Sequence, residues 1–437
     1  MKKIFQYIML AVVTIVMASC TSDIEETTAT TGKSNVQLVV GEFPAFGDSQ
    51  TRAIGTPDEG KTSWAEGDEL LLEIDNTSYG KQYATFTYNG SSWELTSDEL
   101  VYREGDPAYI PHVYYAPNYK WEAGKLVLKE GKDPGTDEYI EGNAKITGNG
   151  ETITVSFAEA TRNYSRLRIA TLPNEQITVD TEYFTPAGSS DMEQNGNYTL
   201  TSDEKGNAYL YGNFVTNSQF TVKYEEAPLA SHTFLQATVN AKSYALDATV
   251  VSLADEGITY DQIVEDVKKE LDAGKTYINL ILAPDVDEET LEAIHIGLLE
   301  GDARDGSINL TLIGCKKIPY EGFMHCKMLK SIAPPDVTEI EGKAFSGCTR
   351  LQKVVLGNLT KVYGNVGKNG IFDGCRTEDI DLVLSKDQKV MNGGKNEEGR
   401  YCWTADIIKD YSGSDEHNGR VFLDYDFQSI TCVYPVP

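Results

Sequence analysis

A repeat of 22 residues near the C-terminal end limits what this chain can fold into more than any other feature. Ile318-Pro319-Tyr320-Glu321-Gly322-Phe323-Met324-His325-Cys326-Lys327-Met328-Leu329-Lys330-Ser331-Ile332 returns as Ile340-Glu341-Gly342-Lys343-Ala344-Phe345-Ser346-Gly347-Cys348-Thr349-Arg350-Leu351-Gln352-Lys353-Val354. The apolar slots coincide: Ile318 with Ile340, Phe323 with Phe345, Cys326 with Cys348, Leu329 with Leu351, Ile332 with Val354. A degenerate third copy carries Phe372 and Cys375, followed by Ile380, Leu382 and Leu384. One such repeat cannot bury its own apolar face, so the copies must stack into a solenoid. That architecture points to binding.

The stack extends toward the N-terminus. Ile278-Asn279-Leu280-Ile281-Leu282 is echoed 30 residues later by Ile308-Asn309-Leu310-Thr311-Leu312, which predicts the first two rungs of the solenoid sheet. Between residues 260 and 273 the apolar residues Ile263, Val264, Val267 and Leu271 share one helical face, and Gly274 ends the pattern. Asp287 is a suitable N-cap for a second helix bearing Leu291, Ile294 and Leu298. These helices are expected to cap the exposed end of the apolar stack. Trp403 and a final strand from Ser429 to Tyr434 are expected to close the other end.

Composition fixes the surroundings. The 437 residues include 67 acidic against 38 basic, a formal charge of −29. Such a surface repels phosphate backbones and anionic lipid, so nucleic acid is not an expected partner and direct membrane electrostatics are excluded. The N-terminus carries an address instead. Lys2 and Lys3 precede a mostly apolar run from Ile4 to Ala18, shorter than the roughly 20 residues a bilayer span needs, and it reads as a secretory signal over residues 1–19. Ala18 and Ser19 before Cys20 resemble the lipobox of bacterial lipoproteins, with Met17 where that family prefers Leu. The resemblance implies acylation of Cys20, which makes a lipid anchor the only membrane attachment expected, at the cell surface of an outer membrane. Residues 20–34, rich in Thr, Ser and Glu and lacking aromatics, form a flexible tether; Asp23, Glu25 and Glu26 resemble the export tag of surface lipoproteins in Bacteroidetes-type bacteria.

From Asn35 to about residue 250 the texture is short strands and turns. Val36 to Val40, Leu70 to Ile74, Ala84 to Tyr88, Trp93 to Leu95, Ala108 to Ala116 and Thr152 to Phe157 read as strands, with Asn89-Gly90 as a hairpin turn. A second set follows at Leu167 to Ile169, Ile177 to Val179, Tyr209 to Tyr211, Phe220 to Tyr224 and Ser243 to Leu246. The reading is of two small antiparallel β-sandwiches, residues 35–160 and 161–250.

Thr51-Arg52-Ala53, Trp64-Ala65-Glu66-Gly67-Asp68, the aromatic run from Tyr109 to Pro117 and Tyr164-Ser165-Arg166-Leu167-Arg168-Ile169 resemble, in that order, the fimbrillin-like family of surface lipoproteins. The resemblance implies transthyretin-like sandwiches, adhesion or fimbrial assembly, and proteolysis after Arg52 that frees a groove for a neighbour's strand. A solenoid where that family has its C-terminal donor strand argues for an anchored adhesin, with a fimbrial tip or accessory subunit as the alternative. Ala344-Phe345-Ser346-Gly347-Cys348-Thr349-Arg350-Leu351 and Phe372-Asp373-Gly374-Cys375 resemble the BspA-like leucine-rich repeat family of surface proteins, over residues 251–437 with caps included. That resemblance implies adhesion to host or bacterial partners, protein or glycan.

The overall expectation is a mainly β, multidomain chain: two transthyretin-like antiparallel β-sandwiches followed by a short leucine-rich repeat solenoid with a helical N-terminal cap. Exposed side chains between the buried slots, Lys327, Lys330, Arg350, Gln352 and Lys353, form a local basic strip suited to an acidic partner.

Nothing points to an enzyme. His112, His232, His295, His325 and His417 belong to no catalytic or zinc-ligand pattern, and no carboxylate pair stands out. No cofactor or metal is expected, and Asp302-Ala303-Arg304-Asp305-Gly306 reads as a turn, since it lacks the spaced terminal Glu of a calcium loop. Cys326, Cys348 and Cys375 share one repeat register and read as buried thiols; Cys402 and Cys432 are the first candidates for a disulfide. A glycan-capture lipoprotein is a further alternative, for which Trp64, Trp93, Trp121 and Trp403 would supply stacking surfaces.

Overall fold

A computed structural model describes residues 37–433 apart from 45–59, 77–79, 98–99, 101–107, 148–151, 225–226, 255–256, 284–285, 366, 398 and 411–419. Cys20, Arg52 and His417 lie outside the described residues. The chain is mainly β and multi-sheet. The first set of strands comprises β1 (Gln37–Val40), β2 (Glu69–Asn76), β3 (Gly80–Tyr88), β4 (Trp93–Leu95), β5 (Ala108–Tyr115), β6 (Tyr119–Glu122), β7 (Lys125–Leu128), β8 (Ile140–Thr147) and β9 (Thr152–Thr161). Seven of them pair in the order β1-β9-β8-β5-β2-β3-β4, and β6 pairs with β7. Leu70, Leu72, Phe86, Trp93, Ile153 and Val155 meet in one core, as the period-2 pattern of these strands requires. The Asn89-Gly90 turn does join β3 to β4, but Tyr88 pairs with Trp93, so the loop holds four residues. The Asn89 side chain sets that length: its Oδ1 accepts the backbone N–H of Ser91 at 2.9 Å and of Ser92 at 2.8 Å.

The second set holds β10 (Ser165–Ala170), β11 (Gln176–Pro186), β12 (Glu193–Thr201), β13 (Asn207–Phe214), β14 (Gln219–Tyr224), β15 (Ala227–Thr233) and β16 (Ser243–Asp247), around a core of Phe184, Phe214, Phe220 and Phe234. The expectation of purely antiparallel sheets needs correction in both sets. β1 runs parallel to β9, and β16 parallel to β10. Parallel neighbours need a long crossover, and here the intervening strands of each set supply it.

The two sets meet at a buried ion pair. Arg162 Nε and Nη2 each donate to Glu138 at 3.1 Å, Nη2 also reaches the Pro44 carbonyl at 2.9 Å, and the Tyr164 hydroxyl donates to Glu138 at 2.5 Å. Both charged side chains are 3% exposed. Burial and the adjacent carboxylate push the Tyr164 hydroxyl well above its usual pKa.

The remainder holds β17 (Val251–Ser252), α1 (Tyr260–Asp272), β18 (Tyr277–Ile281), α2 (Glu288–Glu300), β19 (Ile308–Ile313), β20 (Lys317–Ile318), β21 (Leu329–Ala333), β22 (Glu339–Ile340), β23 (Lys353–Val355) and β24 (Lys361–Tyr363). It ends with β25 (Asp381–Ser385), β26 (Lys389–Lys395), β27 (Tyr401–Asp410), β28 (Val421–Phe422), β29 (Tyr425–Asp426) and β30 (Ser429–Val433). One parallel sheet runs β17-β18-β19-β21-β23-β25-β30, and a second runs β20-β22-β24-β27-β26. The 22-residue period is the pairing register itself: Ile332 lies beside Val354, and Ile318 beside Ile340 beside Val362. Phe323, Phe345 and Phe372 stack, at ring separations of 6.5 and 5.5 Å.

Three expectations shift here. Ile278 pairs with Leu310 and Leu280 with Leu312, an offset of 32 residues rather than 30. A slip of two keeps the same side chains facing inward, which is why the motif alignment did not expose it. The segment from Ser429 extends the sheet as a parallel rung on β25. Trp403 lies in β27, antiparallel to β24, and donates its indole N–H to the Gly364 carbonyl at 3.0 Å.

Both helices start at a capping side chain, the second at the expected Asp287. Thr259 and Gln262 form a reciprocal capping box on α1, and Asp287 accepts the Thr290 N–H at 2.8 Å on α2. Their apolar faces join one continuous core that ends at Phe422, Tyr425 and Phe427. Gly347, in the tight turn of the second repeat, has φ +75°, and a Cβ there would lie 2.2 Å from the His325 ring.

All six described cysteines are free thiols, Cys402 and Cys432 included. Cys348 donates to the Phe323 carbonyl at 3.1 Å and Cys375 to the Phe345 carbonyl at 3.0 Å. Burial pushes Cys315, Cys326 and Cys375 up to about 12, and Cys348 higher still. With so little thiolate, these four should resist iodoacetamide at pH 8 in the native protein and react once urea unfolds it, as read by mass spectrometry. Native labelling at rates typical of free cysteine would contradict this packing.

Candidate functional site

The outer face of the long parallel sheet is partly occupied. Asn279 Nδ2 donates to the Leu229 carbonyl at 3.0 Å, and Thr311 Oγ1 to the Pro228 carbonyl at 2.9 Å, both on β15. Ala227 packs with Ala333, Val355 and Val383 of the same face. Here the second strand set lies against the first rungs. Asn279 and Thr311 are buried beneath β15, and no sequence pattern announces that docking.

What stays open is the rim formed by the turns that lead into β19, β21, β23, β25 and β30. All five residues of the expected strip lie there or at the strand ends, and all are exposed. Hydrogen bonds tie these turns together: Gly306 N–H to the Lys327 carbonyl at 2.9 Å, Gln352 N–H to the Lys330 carbonyl at 2.8 Å, and Asp381 N–H to the Gln352 carbonyl at 2.9 Å. Lys330 is presented by a bulge, because Ile308 pairs with Leu329 while Asn309 pairs with Ser331 and leaves Lys330 unmatched. Lys353 stands in register between Ser331 and Asp381. Arg350 packs on the turn before β19, its Cβ only 3.1 Å from where a Cβ on Gly306 would sit.

A polar groove of about 500 Å³ opens on this rim, lined by Thr349, Arg350, Leu351, Gln352, Arg376, Asp379, Asp381 and Gln428. Arg350 and Gln352 were foreseen; Arg376, Asp379, Asp381 and Gln428 were not. Arg376 had a legible signal, since it follows Cys375 as Lys327 follows Cys326. The acidic pair had none. Arg376 approaches Asp379 at 3.7 Å, and Ser429 donates to Asp381 at 2.5 Å. Arg304 joins the rim from the β19 turn and is also exposed. Among the described residues, Arg304, Lys327, Lys330 and Arg350 make no salt bridge with a carboxylate. Charge is concentrated here: residues 342–372 carry five Lys or Arg and no Asp or Glu in a chain of net −29.

Other candidates fall elsewhere. His295 is half-buried against Phe323 at 6.0 Å, its pKa lowered by desolvation, and His325 is exposed on a turn. Trp93 and Trp403 are buried; Trp64 packs on Phe43, Trp93 and Tyr115, and Trp121 on Tyr83. These rings form no exposed coplanar set. Among the described residues no group of three or more His, Cys, Asp or Glu is placed to hold a metal, and no helix is long and apolar enough to cross a membrane.

No protein-family model matches the chain, and no curated protein sequence matches it. Among solved structures, a proposed cell adhesion protein from Bacteroides fragilis NCTC 9343 aligns over 51% of this chain and 91% of its own, at 10% identity and a TM-score of 0.26. A likeness that low carries no argument about fold or function.

Proposed function

We propose that this chain is a lipid-anchored adhesion protein of the bacterial cell surface, acting by binding rather than catalysis. In this reading two transthyretin-like β units form a stalk on acylated Cys20, and a leucine-rich repeat solenoid is the head. The observation that carries it is the rim: Arg304, Lys327, Lys330 and Arg350 stand exposed on stacked rungs beside a polar groove, in an otherwise acidic protein. A partner, protein or glycan, on a host or bacterial surface would dock there.

A second reading has its own support. β1 is an edge strand that lies before Arg52 and sends Leu38 and Val40 into the first core beside Ile153 and Val155. Proteolysis after Arg52 would sever β1 from the rest of its sheet and leave β9 as a vacant edge for another subunit's strand. That would make the protein a fimbrial tip or accessory subunit. The glycan-capture alternative keeps only the rim, since the tryptophans pack inward.

Intact-mass analysis and N-terminal sequencing from native outer membranes, with protease accessibility on whole cells, separate these. A surface-accessible chain starting at acylated Cys20 is expected. A chain starting at Ala53 favours the fimbrial reading, and a chain shielded from external protease contradicts both.

A further inference from the structure

We infer that the rim binds a linear acidic polysaccharide, a sugar chain carrying carboxylate or sulfate groups at intervals. This rests on the adhesion reading above and specifies its ligand. Three features of the rim and its groove select the class. First, cations recur on consecutive turns: Arg304 before β19, Lys330 in β21, Arg350 before β23 and Arg376 before β25. Strands in a sheet lie about 4.8 Å apart, so four rungs spread these cations over roughly 14 Å across the sheet, long enough for a few sugar rings. Compact anions would use one or two of these groups; a linear polyanion uses them all.

Second, the groove offers no apolar anchor. Leu351 is buried, and the exposed Tyr320 lies beside Lys343 in the turn after β20 rather than in the groove. Protein partners draw most of their binding energy from aromatic or aliphatic side chains seated in a desolvated centre. Here the lining is guanidinium, amide, hydroxyl and carboxylate, which suits a hydroxyl-rich ligand.

Third, Asp379 and Asp381 stand among the cations. A nucleic acid, with a phosphate on every residue, would be forced against them. A sugar chain, whose charged groups are separated by hydroxyls, can set those hydroxyls on these carboxylates and on Gln352 and Gln428, with its anions on Arg350 and Lys330.

The test uses the full chain with immobilised heparin, hyaluronan, dextran and polyglutamate at low and raised salt. Retention on heparin or hyaluronan is expected, falling steeply with salt, with none on dextran and weaker retention on polyglutamate. The double variant Lys330→Ala/Arg350→Ala should bind about tenfold more weakly, the loss of two solvent-exposed ion pairs. Lys125→Ala, exposed on β7, should bind as the parent does. Both substitutions of the double variant are at exposed positions, and an unchanged urea midpoint confirms its fold. Failure to bind either acidic polysaccharide, equal retention on polyglutamate, or full binding by the double variant overturns the inference. If polysaccharide binding fails while the double variant still loses attachment to cells, the ligand class is wrong and the adhesion reading stands.

Discussion

Phe345→Ala is expected to destabilise the repeat region by about 3–5 kcal/mol. Phe345 is fully buried between Phe323 and Phe372, so truncation opens a cavity in the middle of a stack whose rungs touch only their neighbours. Urea unfolding followed by hydrogen exchange of the β21 and β23 amides measures it. Both strands should lose protection together, because each relies on the other's inward residues. A loss under 1 kcal/mol would mean that the phenyl rings do not share one core.

The second large effect belongs to the junction of the two β sets. Glu138→Ala or Arg162→Ala should each cost about 3–5 kcal/mol, because either leaves a charge in a site that is 3% exposed. Replacing Glu138 also removes the carboxylate that accepts the Tyr164 hydroxyl at 2.5 Å. The double substitution Glu138→Leu/Arg162→Met should recover much of the loss, since neither charge is then left unpaired. Chemical unfolding read by fluorescence and limited proteolysis around residues 161–164 would follow both. If the double variant is as unstable as the sum of the singles, the pair is not coupled as its geometry indicates.

Much of this was legible in residues. The repeat announced its own register, because inward Ile318, Phe323, Cys326 and Leu329 recur wherever a rung recurs. Asp287 marked a helix start through cap chemistry, which is local and therefore readable. What escaped was non-local. β12 is largely polar, with only Tyr198 and Leu200 turned inward, so its alternation is faint. β15 is buried by the repeat sheet rather than by its own set alone, and no periodicity within Ala227–Thr233 announces a partner that far along the chain. The parallel placement of β1 and β16 depends on which edge each strand finds, a tertiary decision.

The candidate site divides the same way. Lys327, Lys330, Arg350, Gln352 and Lys353 could be read as outward because the repeat fixes which neighbours point in. The groove needed the third copy, where the spacing from Cys348 to Cys375 stretches to 27 residues. Arg376 is still marked there by its place after Cys375, but Asp379 and Asp381 match nothing in the first two copies. Gln428 arrives from a rung with no repeat motif at all.

The most direct test of the central claim is attachment. Cells displaying the wild-type chain would be compared with cells displaying Lys330→Ala/Arg350→Ala at equal surface density, on host-cell and bacterial-cell layers. A rim that binds predicts a marked drop in attachment with surface density unchanged. Equal attachment by both would contradict the rim as the binding face of this protein.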